Sequence, residues 1–160
     1  MRIRKMITAL TLAALIGTEG LASAARAEDD RVPPVTHELT RSECGQCHMA
    51  FQPAFLPARS WNAIMDGLGD HFGEDASLRP EKAKSIRDYL VANAGGGARP
   101  SFLRRPAADA APLRITETPA FLRKHRFADS VWTKPGIVSK SNCAACHQGA
   151  EAGVYEDEDD

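Results

Sequence analysis

Two short motifs of cysteine and histidine contain every cysteine of the chain. CGQCH occupies residues 44–48, CAACH occupies residues 143–147, and the sequence has four cysteines in all. A Cys-x-x-Cys pair can serve as a redox disulfide, as half of a zinc site, or as the two thiols that attach a haem covalently. A histidine directly after the second cysteine is typical of haem attachment alone.

Covalent haem attachment explains both the spacing and the histidine. The two thiols add to two vinyl groups on one edge of the macrocycle, and one helical turn brings residues i and i+3 onto the same face. The next residue then lies under the ring, where its nitrogen can reach the iron. The motifs therefore predict two c-type haems. The predicted attachment sites are Cys44, Cys47, Cys143 and Cys146, and the predicted proximal iron ligands are His48 and His147.

Two other chemistries explain the motifs less completely. Four thiolates could form a zinc site, but such a site gives no reason for a histidine behind each cysteine pair. A thioredoxin-like pair lies between a strand and a helix of a βαβ unit, and no such pattern surrounds either motif. The haem interpretation is favoured over both.

The first 27 residues have the pattern of a cleaved secretory signal peptide. A charged start precedes an apolar stretch from Met6 to Ile16, and residues 25–27 fit a small-residue cleavage site. The stretch is too short to span a bilayer, although an uncleaved membrane anchor remains an alternative. A periplasmic location is expected, and haem attachment would occupy thiols that this oxidising compartment otherwise oxidises.

A low-complexity stretch divides the exported chain into two parts. Residues 95–113 are rich in alanine, glycine and proline, and we interpret them as a linker. The linker separates an N-terminal haem domain, residues 28–94, from a C-terminal haem domain, residues 114–150. Residues 151–160 form an acidic tail, interpreted as a solvated end rather than a docking element. Neither domain is long enough for a stable apolar core of its own, so each is expected to fold around its haem.

Charge is unevenly distributed along a chain whose formal net charge is −1. Residues 95–150 hold 9 basic and 3 acidic residues, a balance of +6, whereas residues 28–94 and the tail are acidic. This distribution gives no support for nucleic-acid binding. It does predict that an oppositely charged protein partner is steered towards the molecule.

The sequence predicts an all-α, loop-rich fold, because no convincing strand pattern occurs. In the N-terminal domain, residues 60–68 place apolar side chains at helical spacing, and a second helix begins at Pro80 and stops before a glycine run. In the C-terminal domain, Thr118-Pro119 is typical of a helix start. Residues 139–147 are expected to form another helix, which carries the second motif.

Several side chains compete for the iron position opposite each proximal histidine. Met65 lies on the apolar face of its predicted helix, where methionine more often fills a core, and Met49 is too close to His48 to reach the opposite side. His37 lies on a polar stretch and is interpreted as a surface histidine. The C-terminal domain contains no methionine, so His125 is the local candidate there.

His71 is the other candidate in the N-terminal domain. It lies three residues after Leu68, and Phe72 follows it directly. Two nearby glycines, Gly67 and Gly69, loosen the helix, which allows the backbone to approach a flat cofactor.

Five blocks of this sequence resemble the small dihaem cytochromes c of the DHC type, which occur in the periplasm of photosynthetic and other proteobacteria. The blocks are ECGQCHMAFQPAFLPARSW (43–61), GDHFGEDASL (69–78), IRDYLVANA (86–94), RITETPAFLRKHR (114–126) and SNCAACHQGAEAG (141–153). They run through nearly all of the exported chain. The resemblance implies a cytochrome c-like N-terminal haem domain and a small C-terminal haem domain of a less familiar kind.

The resemblance also implies histidine on both sides of each iron. By position, the distal ligands of the family correspond to His71 and His125, whereas His37 lies outside the matching blocks. An iron with two protein ligands has no vacant position for a substrate, which indicates an electron carrier rather than an enzyme. Imidazole in place of a thioether also lowers the reduction potential.

Redox partners follow from the resemblance and not from the spacing of residues. Members of the family pass electrons to sphaeroides haem protein, a monohaem, ligand-binding cytochrome, and are expected to receive them from a membrane b-type cytochrome. A monomer with the same partners is expected here. Two other functions remain open: a small haem enzyme or gas sensor, if one iron lacks a sixth ligand, and a dihaem electron-transfer subunit of a periplasmic reductase.

Overall fold

The computed structural model of the protein describes residues 30–95 and 109–156. These residues are helical and contain no strand beyond two isolated bridges, which confirms the all-α, loop-rich prediction. No helix in these two ranges is long and apolar enough to cross a membrane. The predicted signal peptide, most of the predicted linker and residues 157–160 lie outside the described residues.

Five α-helices and five 3-10 turns make up the described fold. The helices are α1 (Glu38–Cys44), α2 (Ala58–Asp66), α3 (Pro80–Ala92), α4 (Pro119–Lys124) and α5 (Asp129–Trp132). The 3-10 turns are Pro53–Phe55, Leu68–Asp70, Ile115–Glu117, Cys143–Ala145 and Ala150–Ala152.

The main apolar core lies between α2 and α3. Its buried members are Leu56, Trp61, Met65, Ile86 and Leu90. Helix α3 begins at Pro80 as predicted, because the fixed φ of proline suits the first helical position and its missing N–H is not needed there. The position of Met65 in this core agrees with its interpretation as a core residue rather than an iron ligand.

Helix α4 begins where the sequence predicts. Thr118 is its N-cap, and the Thr118 Oγ1 accepts a hydrogen bond from the backbone N–H of Phe121 at 3.3 Å. Pro119 occupies the first helical position. The helix ends at Lys124, which leaves His125 as its C-cap residue.

The prediction of a helix over residues 139–147 is wrong. The structure has one 3-10 turn there, Cys143–Ala145. Polar side chains in this segment bond to one another and to nearby carbonyls, which competes with helical hydrogen bonding. The Ser139 and Ser141 hydroxyls lie 2.9 Å apart, and Nδ2 of Asn142 donates to two backbone carbonyls at 3.0 and 3.1 Å.

The first motif also lies mostly outside a helix. Helix α1 ends at Cys44, and Gly45 is its C-cap residue, whose N–H donates to the carbonyl of Arg41. A Cβ at Gly45 would collide with that same carbonyl oxygen. Cys47 and His48 therefore lie in a turn that follows the helix, rather than on the helix itself.

The end of the described chain packs against its beginning. The Val32 N–H donates to the carbonyl of Gly153 at 2.8 Å, and the Tyr155 N–H donates to the carbonyl of Asp30 at 2.9 Å. Residues 151–156, assigned from the sequence to a solvated tail, are therefore part of the fold. The left-handed conformation of Gly153 (φ 80°) turns the chain back after the last 3-10 turn.

A buried glutamine connects the C-terminal segment around residues 150–155 to the N-terminal half. Gln52 is fully buried, its Nε2 donates to the carbonyl of Ala150 at 2.7 Å, and its Oε1 accepts from the Tyr155 hydroxyl at 2.6 Å. The Tyr155 ring also packs edge-on against Phe55, with ring centroids 5.1 Å apart. This contact joins the two halves through satisfied polar groups and aromatic packing.

Alanine at Gly153 should destabilise the protein more than alanine at Gly136. Both glycines have positive φ, so alanine strains the backbone at each, by about 1 kcal/mol or more. At Gly136 a Cβ would meet nothing, whereas at Gly153 it would collide with the carbonyl of Val32. Urea unfolding of the holoprotein should therefore show a loss of at least about 2 kcal/mol for G153A. Equal losses in the two variants would contradict the close contact.

Candidate haem centres

The first motif brings its histidine to the side of His71. The ring centroids of His48 and His71 are 6.3 Å apart, with planes inclined by 32°. A metal–imidazole bond is about 2 Å long, so two rings that face one metal ion from opposite sides have centroids about 6 Å apart. This separation therefore fits a single iron between the two rings.

The hydrogen bond of His48 involves Nδ1 and leaves Nε2 available for a metal. The Nδ1 of His48 lies 2.7 Å from the carbonyl oxygen of Met49, to which it donates. In the tautomer that makes this bond, Nε2 is the nitrogen that can bind a metal. His71 follows the 3-10 turn Leu68–Asp70, and burial, followed by the charges of His48 and Arg114, lowers its pKa. A low pKa keeps the imidazole neutral, which metal binding also requires.

The second motif brings its histidine to the side of His125. The ring centroids of His125 and His147 are 6.1 Å apart, with planes inclined by 84°. The Nδ1 of His125 donates to the carbonyl of Phe121 at 3.0 Å. The Nδ1 of His147 is buried and makes no hydrogen bond in the structure. The separation of the two rings again fits one iron between them.

A cavity of about 490 Å³ lies around the second histidine pair. This volume falls within the range of about 300–1,000 Å³ that is usual for small-molecule and cofactor sites. Its walls are mostly aromatic and aliphatic, and they include Phe55, Phe121, Phe127, Trp132, Ile137 and Tyr155. Cys143, Cys146 and both imidazoles also line it. An apolar chamber that contains two thiols and two imidazoles suits a flat apolar macrocycle attached through thioethers.

Basic side chains lie at the same cavity. Lys124 and Lys140 are exposed and line it, and the Lys140 Nζ lies 5.7 Å from the centre of the Trp132 ring. Their ammonium groups could neutralise anionic substituents of a macrocycle, such as propionates. The charge of the cavity wall is therefore consistent with haem.

No disulfide joins any of the four cysteines. Burial raises the pKa of Cys143 to about 11, and burial together with the charge of Glu43 raises the pKa of Cys44. Within residues 30–95 and 109–156, no group of three or more metal-binding side chains could hold an ion. The alternative of a four-thiolate zinc site therefore finds no support in the structure.

His37 joins neither pair, and it is not simply a surface histidine. It is half-buried before α1, its Nδ1 lies 2.9 Å from the Thr40 Oγ1, and its ring stacks on Tyr89 with centroids 5.0 Å apart. Its Nε2 lies 3.4 Å from the hydroxyl of Ser85. These contacts connect α1 to α3, so the residue has a structural position that its polar sequence neighbours did not indicate.

Two aromatic residues at the second site were missed by the sequence analysis. Phe55 comes from the N-terminal half and Tyr155 from the predicted tail, yet both line the cavity beside His147. The ring centroids of His147 and Tyr155 are 5.5 Å apart, and burial raises the pKa of the Tyr155 hydroxyl. The aromatic character of Tyr155 within an otherwise acidic, polar segment is the signal that could have identified it.

Comparison with known proteins identifies the family of this chain. The family model described as dihaem cytochrome c matches residues 40–155. The chain belongs to this family. As a dihaem cytochrome c, it carries two covalently bound c-type haems, which confirms the predicted cofactors, and its family implies a role in electron transfer. Members are typically electron carriers rather than enzymes, and cytochromes c are usually periplasmic.

Solved structures show the same relationship. A diheme cytochrome c from Rhodobacter sphaeroides is 48% identical, with a TM-score of 0.70, over 77% of this chain and 99% of that chain. DHC purified from the same organism is 49% identical, with a TM-score of 0.62, over 76% and 98%. A diheme cytochrome from Shewanella baltica is 36% identical, with a TM-score of 0.58, over 74% and 86%. No curated protein sequence matches the chain.

Proposed function

We propose that this dihaem cytochrome c is an exported, periplasmic, low-potential electron carrier with two histidine ligands on each iron. The observation that carries the proposal is the pairing of imidazole rings at 6.3 and 6.1 Å, once in each half of the chain. The proposed axial pairs are His48 with His71 and His125 with His147. The proposed thioether sites are Cys44 and Cys47 for the first haem and Cys143 and Cys146 for the second.

The protein contributes ligand identity, orientation and surroundings to the redox centres. A bound c-type haem supplies a one-electron iron couple. Two histidines on each iron leave no coordination position for a substrate, and they favour a lower potential than methionine ligation does. Hydrogen bonds from Nδ1 of His48 and of His125 to backbone carbonyls fix the ring orientations and raise ligand basicity. Fixed ligands suit a centre that exchanges electrons without binding a substrate.

The cofactor content can be measured directly. The exported protein, with a mature chain that begins near Glu28, should have the mass of the polypeptide plus two haems, and both haems should survive denaturation. Carbon monoxide should leave the absorption spectrum of the native reduced protein unchanged, because both axial positions are filled. A mass with one haem would contradict the assignment of both motifs. A spectrum that shifts with carbon monoxide would favour a haem enzyme or gas sensor.

The partners in this proposal are a membrane b-type cytochrome as donor and a monohaem, ligand-binding cytochrome as acceptor. Exposed basic side chains of the C-terminal half support electrostatic steering of a partner. Lys124, Arg126, Lys134 and Lys140 are all exposed. Lys124 lies 3.6 Å from Asp30, so part of its charge is balanced within the protein. Steering of this kind speeds encounter more than it tightens binding.

Electron transfer to an acidic partner cytochrome should slow as salt rises. The Debye length falls from about 30 Å at 0.01 M to about 8 Å at 0.15 M ionic strength, so an on-rate raised by steering should fall about tenfold or more. Charge reversal to glutamate of Arg126 and Lys134, two exposed basic residues that do not line the cavity, should weaken or invert this dependence and leave the haem spectra unchanged. Stopped-flow mixing measures the rates.

Reversal of one basic residue on α3, Lys84→Glu, serves as the control for that experiment. Lys84 pairs with Asp88 at 2.6 Å in the N-terminal half, and it is distant in sequence from the basic residues of the C-terminal half. The control variant should keep most of the salt dependence of the wild type. If the rates do not respond to salt in the wild type or in either variant, these basic side chains have a structural role and do not steer a partner.

A further inference from the structure

The loop that presents His71 is tight and strained. The His71 N–H donates to the carbonyl of Glu74 at 2.7 Å, and the N–H of Gly73 donates to a carboxylate oxygen of Asp70 at 3.0 Å. Between them, Phe72 adopts a left-handed backbone conformation with φ 60°. This conformation is unusual for a bulky residue and strains the backbone, so surrounding contacts must hold it in place.

An arginine from the other half of the chain covers this strained residue. The guanidinium carbon of Arg114 lies 3.9 Å from the centre of the Phe72 ring, which is a cation–π contact. The Phe72 ring also lies next to the proposed distal ligand, since the rings of His71 and Phe72 have centroids 4.7 Å apart. Arg114, Phe72 and His71 thus form a continuous series of contacts that ends at the first imidazole pair.

The segment that carries Arg114 also carries the second distal histidine. Ile115, the next residue, packs against the main core of the N-terminal half. The 3-10 turn Ile115–Glu117 leads directly into α4, whose C-cap is His125. The Nε of Arg114 lies 3.6 Å from a carboxylate oxygen of Glu117, which orients the guanidinium from within the same segment. One stretch of twelve residues, 114–125, therefore contacts the distal ligand loop of the first centre and supplies the distal ligand of the second.

We propose that Arg114 is a positioning residue that holds the His71 loop closed over the first haem and ties it to the segment that bears His125. The inference rests on the proposed histidine ligation of both irons, and it adds a link between the two distal ligands. Without the guanidinium, Phe72 loses the cation–π contact that helps to hold its strained conformation. The loop then opens more often, and His71 leaves the iron more often. The second centre keeps its ligand, since the backbone of α4 is unchanged.

The test measures how readily an external ligand replaces His71 in the oxidised holoprotein. Cyanide is the probe, and its binding is followed by absorption in the wild type and in R114Q. An exposed cation–π contact contributes about 0.5–1 kcal/mol, which corresponds to a two- to fivefold change in the open population. R114Q should therefore bind cyanide at one haem about two to five times faster than the wild type. R114K, which keeps a cation over the ring, should restore most of the wild-type rate.

Two further variants test whether the faster cyanide binding arises at the His71 loop. R79Q removes the same charge from an exposed arginine that directly precedes α3, and it should keep the wild-type rate. In the H71A background, where the first iron is already open, R114Q should add no further acceleration. An equal acceleration by R79Q, or an added acceleration by R114Q in H71A, would overturn the proposal. A wild-type protein that already binds cyanide at once would instead contradict the proposed ligation.

Discussion

Replacement of His125 or His71 by alanine should convert one of the two haems to a high-spin state that binds carbon monoxide. In each case the opposite proximal histidine remains, and the ring that faces it at 6.1 or 6.3 Å is removed. A five-coordinate iron has a vacant position, so the absorption spectrum of half of the haem should change. Spectra of the oxidised protein, and of the reduced protein with and without carbon monoxide, measure this outcome.

His37→Ala is the matched control for these variants. His37 is half-buried and contacts Thr40 and Tyr89, but it faces neither proximal histidine. Its replacement should leave both haems low-spin and reduce only the stability of the contact between α1 and α3. If the His37 variant loses a ligand and the His71 variant does not, the assignment of the first distal ligand is wrong.

A protein without the second pair of attachment cysteines should lose the fold of its C-terminal half. Among residues 109–156, the buried apolar residues are Ala120 and Ala150, and an alanine buries far less apolar surface than a leucine, which contributes about 1.5–3 kcal/mol. Most of the larger apolar side chains there, among them Phe121, Trp132 and Tyr155, line the cavity instead. The double variant C143A/C146A should carry one haem per chain, and limited proteolysis should cleave this half while sparing residues 30–95.

The reciprocal variant, C44A/C47A, shows whether the two halves differ. The N-terminal half has a core between α2 and α3 that includes Trp61, Ile86 and Leu90. This half should therefore resist proteolysis better without its haem than the C-terminal half does without its own. If the C-terminal half of C143A/C146A stays protected from proteolysis, its fold does not depend on a haem in the cavity.

Local chemistry explains why several features could be predicted from the sequence. The spacing of each cysteine pair follows from the size of the porphyrin, so the two motifs indicated the cofactors without knowledge of the fold. Helix starts at Pro80 and Thr118 depend on a proline at the first helical position or on a capping hydroxyl. These signals act within one turn of chain.

Other features depend on contacts between residues that are distant in sequence. Gln52 forms a hydrogen bond with Tyr155, which lies 103 residues away in the sequence, and no local sequence pattern indicates this pairing. The 139–147 segment has helix-compatible residues, yet the Asn142 side chain bonds to carbonyls that precede it. The short helices α1 and α5 also lack a clear apolar period. In each case tertiary or side-chain bonding, rather than propensity, determines the local structure.

The pairing of residues 30–32 with residues 153–155 determines when the molecule can finish folding. Arg31 and Glu156 form an ion pair at 2.9 Å across 125 residues of chain. During N-terminus-first synthesis, the early partner of each such contact cannot pair until the last partner has been made. Contacts of high sequence separation also form slowly. The second haem pocket, which Tyr155 lines, is therefore expected to be completed last, and a chain that stops before residue 153 would lack these contacts.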